Sequence, residues 1–210
     1  MNLTEQAELY HHQLLNHPPG LQWHYNRGLT HDTITRHRLG WITDPATREA
    51  RWALDRPVIP YWTMRGGCVE LKARTGQKAG PKYLKIGNAF PLPTKTRLFN
   101  ALQAMPSPRN AEVLIVEGEY DCLIALQAGY RATAVAGVQG WNTTWEHLYQ
   151  DSRVVLVFDG DEAGAEAADK LTAALDRRGI DCRTVRLPEG RDLTDLWLEG
   201  GRQRVKGVIG

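Results

Sequence analysis

The chain has 210 residues, 42% of them hydrophobic, enough for a packed core. Ordinary charged content and the lack of low-complexity tracts exclude a disordered chain. The longest apolar runs, Val113–Val116 and Val154–Phe158, are strand-sized and too short to cross a bilayer. The stretch after Met1 is polar and does not resemble a signal peptide, and Cys68, Cys122 and Cys182 form neither a CxxC pair nor a zinc spacing, so a reducing, cytoplasmic setting is expected. The net charge of +2 hides an asymmetry: residues 1–110 hold 15 Lys and Arg against 7 Asp and Glu, whereas residues 111–210 hold 11 against 17. A basic half suits phosphates and an acidic half suits cations.

In chain order, Leu3–Leu15 reads as a helix ending near Pro18-Pro19-Gly20. A second helix is expected over Asp32–Arg38, with Thr30 as N-cap and Gly40 beyond its end. Val58–Trp62 and Cys68–Arg74 flank Arg65-Gly66-Gly67 as a β-hairpin would. Met105-Pro106-Ser107-Pro108 marks a boundary, giving a basic α+β subdomain over 1–108 and a second domain over 109–210. Beyond it the pattern alternates: strand Glu112–Val116, helix Tyr120–Ala128 closed by Gly129, strand Ala132–Ala136 and a Gly-rich loop. A short helix at Thr144–Gln150, strand Arg153–Phe158, helix Glu162–Arg178 closed by Gly179, and strand Cys182–Leu187 follow. Continuous apolar strands alternating with helices predict an α/β domain with a parallel four-stranded sheet flanked by helices.

The carboxylates sit where such a sheet places its sites. Glu117 follows the first strand in VLIVEGEYD, Asp159 and Asp161 follow the third in LVFDGDEAG, and Asp192 lies past the fourth in LPEGRDLTD. These positions converge outside the carboxyl ends of parallel strands. Carboxylates brought together there repel unless a cation neutralises them, and hard oxygen ligands without His or Cys favour Mg²⁺ or Mn²⁺. The competing explanation is that acids after strands are helix N-caps, which fits Asp161 taken singly but not the whole set.

VEGEYD, VFDGDEAGAEAA and LPEGRD resemble the Toprim domain shared by bacterial DnaG-type primases, topoisomerases, OLD-type nucleases and recombination proteins. The fuller series of EGxxD, AGVQG, DGDEAG and LPxGxD is closest to DnaG-type primases and covers Glu112–Gly201. In the first half, YNRGLTHDTITRHRLGW, VIPYWTMRGGCVELKAR, PKYLKIGNAF and KTRLFNA resemble the N-terminal part of the primase core. The resemblance places Arg27, Arg74, Lys82, Tyr83 and Lys95 at positions that contact template or incoming nucleotide. It implies Glu117, Asp159 and Asp161 as catalytic residues and Glu117, Asp159, Asp161 and Asp192 as ligands of Mg²⁺ or Mn²⁺. Glu117 could serve as ligand or as general base, and Asp121 is expected to support local geometry. One departure stands out: Thr194 occupies the place of the second acid of the last motif, with Asp195 one residue later.

The implied activity is metal-dependent synthesis of short primers on single-stranded DNA from nucleoside triphosphates, with a replicative helicase or a separate zinc-binding domain as partner and no membrane association. A Toprim nuclease or a non-catalytic single-strand-binding module would share many of these features. His11 and His12 are expected at the surface, and Trp141 and Trp145, four residues apart, in core packing. No Walker A sequence occurs.

Overall fold

A computed structural model describes residues 1–75, 83–88, 98–101, 110–135 and 141–210. It divides into two compact units, Met1–Pro93 and Thr94–Gly210. The boundary expected at Met105–Pro108 lies outside the described residues. Phe99 belongs with the second unit: its N–H donates to the Ala134 carbonyl at 2.9 Å, and the Ala134 N–H donates back at 3.2 Å.

The first unit begins with α1 (Leu3–Leu15), whose start is fixed by a reciprocal capping box between Asn2 and Glu5. The helix buries Ala7, Tyr10 and Leu14. His11 departs from expectation: it is buried, and its Nδ1 donates to the Leu39 carbonyl at 2.7 Å. Pro18-Pro19-Gly20 does not merely end α1. It opens α2 (Pro18–Tyr25), because a proline at the first helical position has no N–H to leave unsatisfied. Thr30 caps α3 (His31–Arg36) as expected, accepting from the Thr33 N–H. Gly40 lies beyond the end of that helix, as expected, and starts β1 (Gly40–Trp41). A 3₁₀ turn at Arg48–Ala53 follows. The hairpin forms as β2 (Pro57–Trp62) and β3 (Cys68–Arg74), and β4 (Tyr83–Asn88) completes an antiparallel sheet ordered β1-β2-β3-β4.

A bulge sets the two faces of that sheet. Tyr61 lies opposite Glu70 and Trp62 opposite Cys68, leaving Val69 as the extra residue. Cys68, Leu71 and Ala73 therefore join Ala7, Tyr10, Ile42, Val58 and Ile86 in the core. Glu70, Lys72 and Arg74 alternate onto the opposite face.

The second unit is the expected α/β domain. Its elements are β5 (Ala111–Val116), α4 (Glu119–Ala128), β6 (Ala132–Ala134), a 3₁₀ helix at Thr143–Tyr149, β7 (Ser152–Phe158), α5 (Glu162–Asp176), β8 (Cys182–Arg186) and α6 (Leu193–Ile209). The sheet is parallel throughout and ordered β6-β5-β7-β8. Val113, Ile115, Val154, Leu156 and Phe158 pack on Ala167, Ala168, Leu171 and Leu175 of α5, and Trp141 and Trp145 join that core. On the other side α6 packs against α4. Helix α6 breaks at Gly200 and Gly201, and Val205 and Ile209 are buried beyond the break. Among the described residues no helix is long and apolar enough to cross a membrane.

Candidate active site

The strand order decides where a ligand can sit. From β5 the chain crosses to β6 on one side, and from β7 to β8 on the other, so the order reverses between β5 and β7. A crevice opens at the carboxyl ends of the strands flanking such a reversal, because the connecting helices lie on opposite faces. Val116 pairs with Val157, so Glu117 and Asp159 are the residues that emerge from β5 and β7 at this point.

The rest of the DGD motif is held by backbone. The Gly160 N–H donates to the Arg191 carbonyl at 2.8 Å, and the Gly190 N–H donates to the Gly160 carbonyl at 2.7 Å. These two bonds tie Asp159-Gly160-Asp161 to the loop carrying Asp192. They also explain the glycines, since a Cβ on Gly160 would collide with the Pro188 carbonyl and one on Gly164 with the Asp159 carbonyl. A pocket of about 210 Å³ opens here, lined by Asp159, Asp161, Thr184, Arg186 and Glu189 among others.

Two of the expected metal acids are also helix caps. Asp161 Oδ1 accepts from the Gly164 N–H at 2.7 Å at the start of α5, and Asp192 Oδ1 accepts from the Asp195 N–H at 2.7 Å at the start of α6. The N-cap explanation is thus correct for both residues, and it leaves the metal role open, since in each case the cap bond uses one carboxylate oxygen. Two helix N-termini reach this edge, and their dipoles favour anionic groups.

Asp121, expected only to support geometry, is a strongly perturbed carboxyl. Burial first, then the charges of Asp192 and Asp159, push its pKa up to about 8. Thr194 donates to its Oδ1 through both its N–H, at 3.3 Å, and its hydroxyl, at 3.1 Å. The residue replacing a family acid therefore bridges the first turns of α4 and α6. The field of Asp159 and Asp192 at Asp121 is the observation that fits a cation: clustered hard oxygen donors with no nitrogen or sulfur ligand suit Mg²⁺ or Mn²⁺. Among the described residues no three His, Cys, Asp or Glu side chains are already drawn into a ligand cage.

In the first unit the predicted contact residues gather around a side chain that sequence reasoning missed. The Arg27 guanidinium lies 4.3 Å from the centroid of the Trp23 ring, and that of Arg74 lies 5.9 Å from it. Arg74 is also 5.9 Å from the Tyr83 ring, its cross-strand partner. Trp23 and Arg27 are four residues apart on or just beyond α2 and so meet; this spacing was visible once α2 was recognised as a helix. Lys82 and Lys95 lie outside the described residues.

Residues 114–197 match the Toprim-like family model. The DNA primase of Chlamydia trachomatis is 25% identical over 242 residues, covering 99% of this chain and 40% of the relative. The Aquifex aeolicus primase, in a crystal structure of its zinc-binding and RNA polymerase domains, superposes with a TM-score of 0.79 at 19% identity, over 98% of this chain and 58% of that one. A DnaG primase catalytic domain bound to single-stranded DNA superposes with a TM-score of 0.74 at 22% identity, over 99% of this chain and 80% of that one. The chain thus has the fold of DnaG-type primase catalytic cores and is similar in sequence to DNA primases over nearly its whole length. The chain spans about two fifths of the length of its chlamydial relative. Its second unit is the Toprim-like part, and the acids at the β5–β7 reversal fall within the matched segment.

Proposed function

We propose that this chain is the catalytic core of a DNA primase, joining nucleotides into short primers on a single-stranded DNA template. The observation that carries the reading is the position of Glu117 and Asp159 on the two strands flanking the order reversal, with Asp161 and Asp192 tied to the same edge by the Gly160 backbone bonds. Asp159, Asp161 and Asp192 would hold Mg²⁺ or Mn²⁺, with Glu117 as a further ligand or as the base. The metal, when bound, would neutralise charge on the triphosphate and on the departing pyrophosphate. The N-termini of α5 and α6 would add fixed positive potential for the same phosphates. In the reaction the primer 3′-hydroxyl oxygen bonds to the α-phosphorus, pyrophosphate leaves, and the hydroxyl proton passes to Glu117 or to water.

Arg27, Arg74 and Tyr83 would contact template or nucleotide from the first unit, together with Lys82 and Lys95. Arginine grips phosphate through parallel bonds and tyrosine offers a stacking face. A DnaG primase catalytic domain with this fold has been seen bound to single-stranded DNA, which supports a single strand as the ligand. A separate zinc-binding domain and a replicative helicase are the proposed partners. The same carboxylates could direct water at a phosphodiester, so the deciding experiment sizes the products formed from single-stranded DNA, nucleoside triphosphates and Mg²⁺ or Mn²⁺. New oligonucleotides support the primase reading; a shortened template identifies a nuclease; neither product identifies a binding module.

A further inference from the structure

On β3 and β4, Lys72 and Lys85 lie directly across from each other, two rungs from the Arg74–Tyr83 pair. Two ammonium groups facing each other across strands repel. Here Glu70 offsets one of the two charges: its Oε2 lies 2.8 Å from Lys85 Nζ and its Oε1 3.9 Å from Lys72 Nζ. The Glu70 side chain is 0% exposed and that of Lys72 11%. Lys72 is further committed to Tyr61, donating to its hydroxyl at 2.6 Å. Lys85, by contrast, keeps 33% of its side chain exposed. The three groups carry a net single positive charge, and Lys85 is the member that presents it to solvent.

We propose that Lys85 is a further phosphate-binding residue for single-stranded nucleic acid. The inference rests on the reading of the first unit as the template-binding part. Lys85 and Tyr83 are two residues apart on one strand, so their side chains share a face about 7 Å apart, alongside Arg74. The ammonium has three donors, and the ion pair with Glu70 orients the side chain while leaving capacity for a phosphate oxygen. Glu70 therefore acts as a positioning residue: it holds Lys85 in place and keeps the facing lysines from spreading apart.

The test is fluorescence anisotropy of a labelled oligodeoxythymidylate with the full chain, titrated across salt concentrations. Lys85→Gln should lower the slope of log affinity against log salt by about 0.7, the value for one lost contact on a single strand. Lys85→Arg should restore the slope. Lys85→Gln leaves Glu70 with Lys72 at 3.9 Å as its counter-charge; Lys85→Met, which removes the same ammonium with a different side chain, is measured alongside and should show the same reduced slope. A lowered melting temperature with an unchanged slope in both variants would overturn the proposal, leaving Lys85 as no more than a counter-charge for Glu70. Arg74→Ala tests the underlying reading separately. If Arg74→Ala lowers the slope and Lys85→Gln does not, only the Lys85 assignment fails. If neither changes it, both fail.

Discussion

Replacing Asp121 by Asn separates the electrostatic cost of the carboxylate edge from its packing. The amide keeps an oxygen able to accept from the Thr194 N–H and hydroxyl, so the bridge between α4 and α6 survives the change. What disappears is a carboxyl whose folded pKa is about 8, raised by burial and by Asp192 and Asp159. A raised folded value means that stability is complete below the unfolded pKa near 4 and is lost as pH rises toward 8. At pH 7 the loss approaches 4 kcal/mol, taking about 1.36 kcal/mol per pH unit between those limits. Relaxation around a buried group reduces the recoverable part, so Asp121→Asn should stabilise the chain by about 2–4 kcal/mol in metal-free buffer at pH 7, roughly 5–15 °C in melting temperature. The assay is thermal melting in EDTA from pH 5 to pH 9, repeated with Mn²⁺. The advantage of the variant should shrink toward pH 5, and added Mn²⁺ should raise the wild type more than the variant. A variant less stable than wild type at pH 7 to 9 would refute the placement of Asp121 in the shared field of Asp159 and Asp192.

Burial holds His24 at a pKa of about 3 and His37 at about 4. Their folded values are lowered, so stability is full above the unfolded pKa near 6.5 and falls with acidification, by about 2 kcal/mol for each at pH 5; hydrogen exchange of first-unit amides should quicken over that range, and constant protection from pH 7 to pH 5 would contradict it. Trp23→Leu removes the ring beneath Arg27 and Arg74 without removing charge, so single-strand affinity should fall by about threefold to tenfold with an unchanged salt slope. Trp23→Phe should recover part of that affinity, and a changed slope would mean that Trp23 acts otherwise. Gly160→Ala drives a methyl group into the Pro188 carbonyl and should disrupt the link between the DGD loop and Asp192, abolishing divalent-dependent activity; full activity in that variant would show that the link is dispensable.

The parallel domain was legible because its strands are continuous apolar runs and its acids follow them directly, so Val113–Val116 and Val154–Phe158 located both the sheet and Glu117 and Asp159. Helix α6 was not read, since Gly200-Gly201 interrupts its pattern, although Asp192 and Asp195 form a capping box at its start. The start of α2 was hidden behind Pro18-Pro19-Gly20, which served as a stop signal for α1 and as the first turn of the next helix. Trp23 went unnoticed for the same reason. The perturbation of Asp121 arises from burial and from neighbours 38 and 71 residues away in sequence, at Asp159 and Asp192. Such a sum of distant terms leaves no local signal.

The central claim is that the acids at the β5–β7 reversal hold the metal that joins nucleotides. Primer synthesis from single-stranded DNA and nucleoside triphosphates, measured with Mn²⁺ for the wild-type chain and for the Asp159→Ala, Asp161→Ala double variant, tests it most directly. The account predicts new oligonucleotides from the wild type only, together with a Mn²⁺-induced rise in melting temperature that the variant lacks. Equal synthesis by both proteins, or an equal Mn²⁺ shift in both, would contradict it.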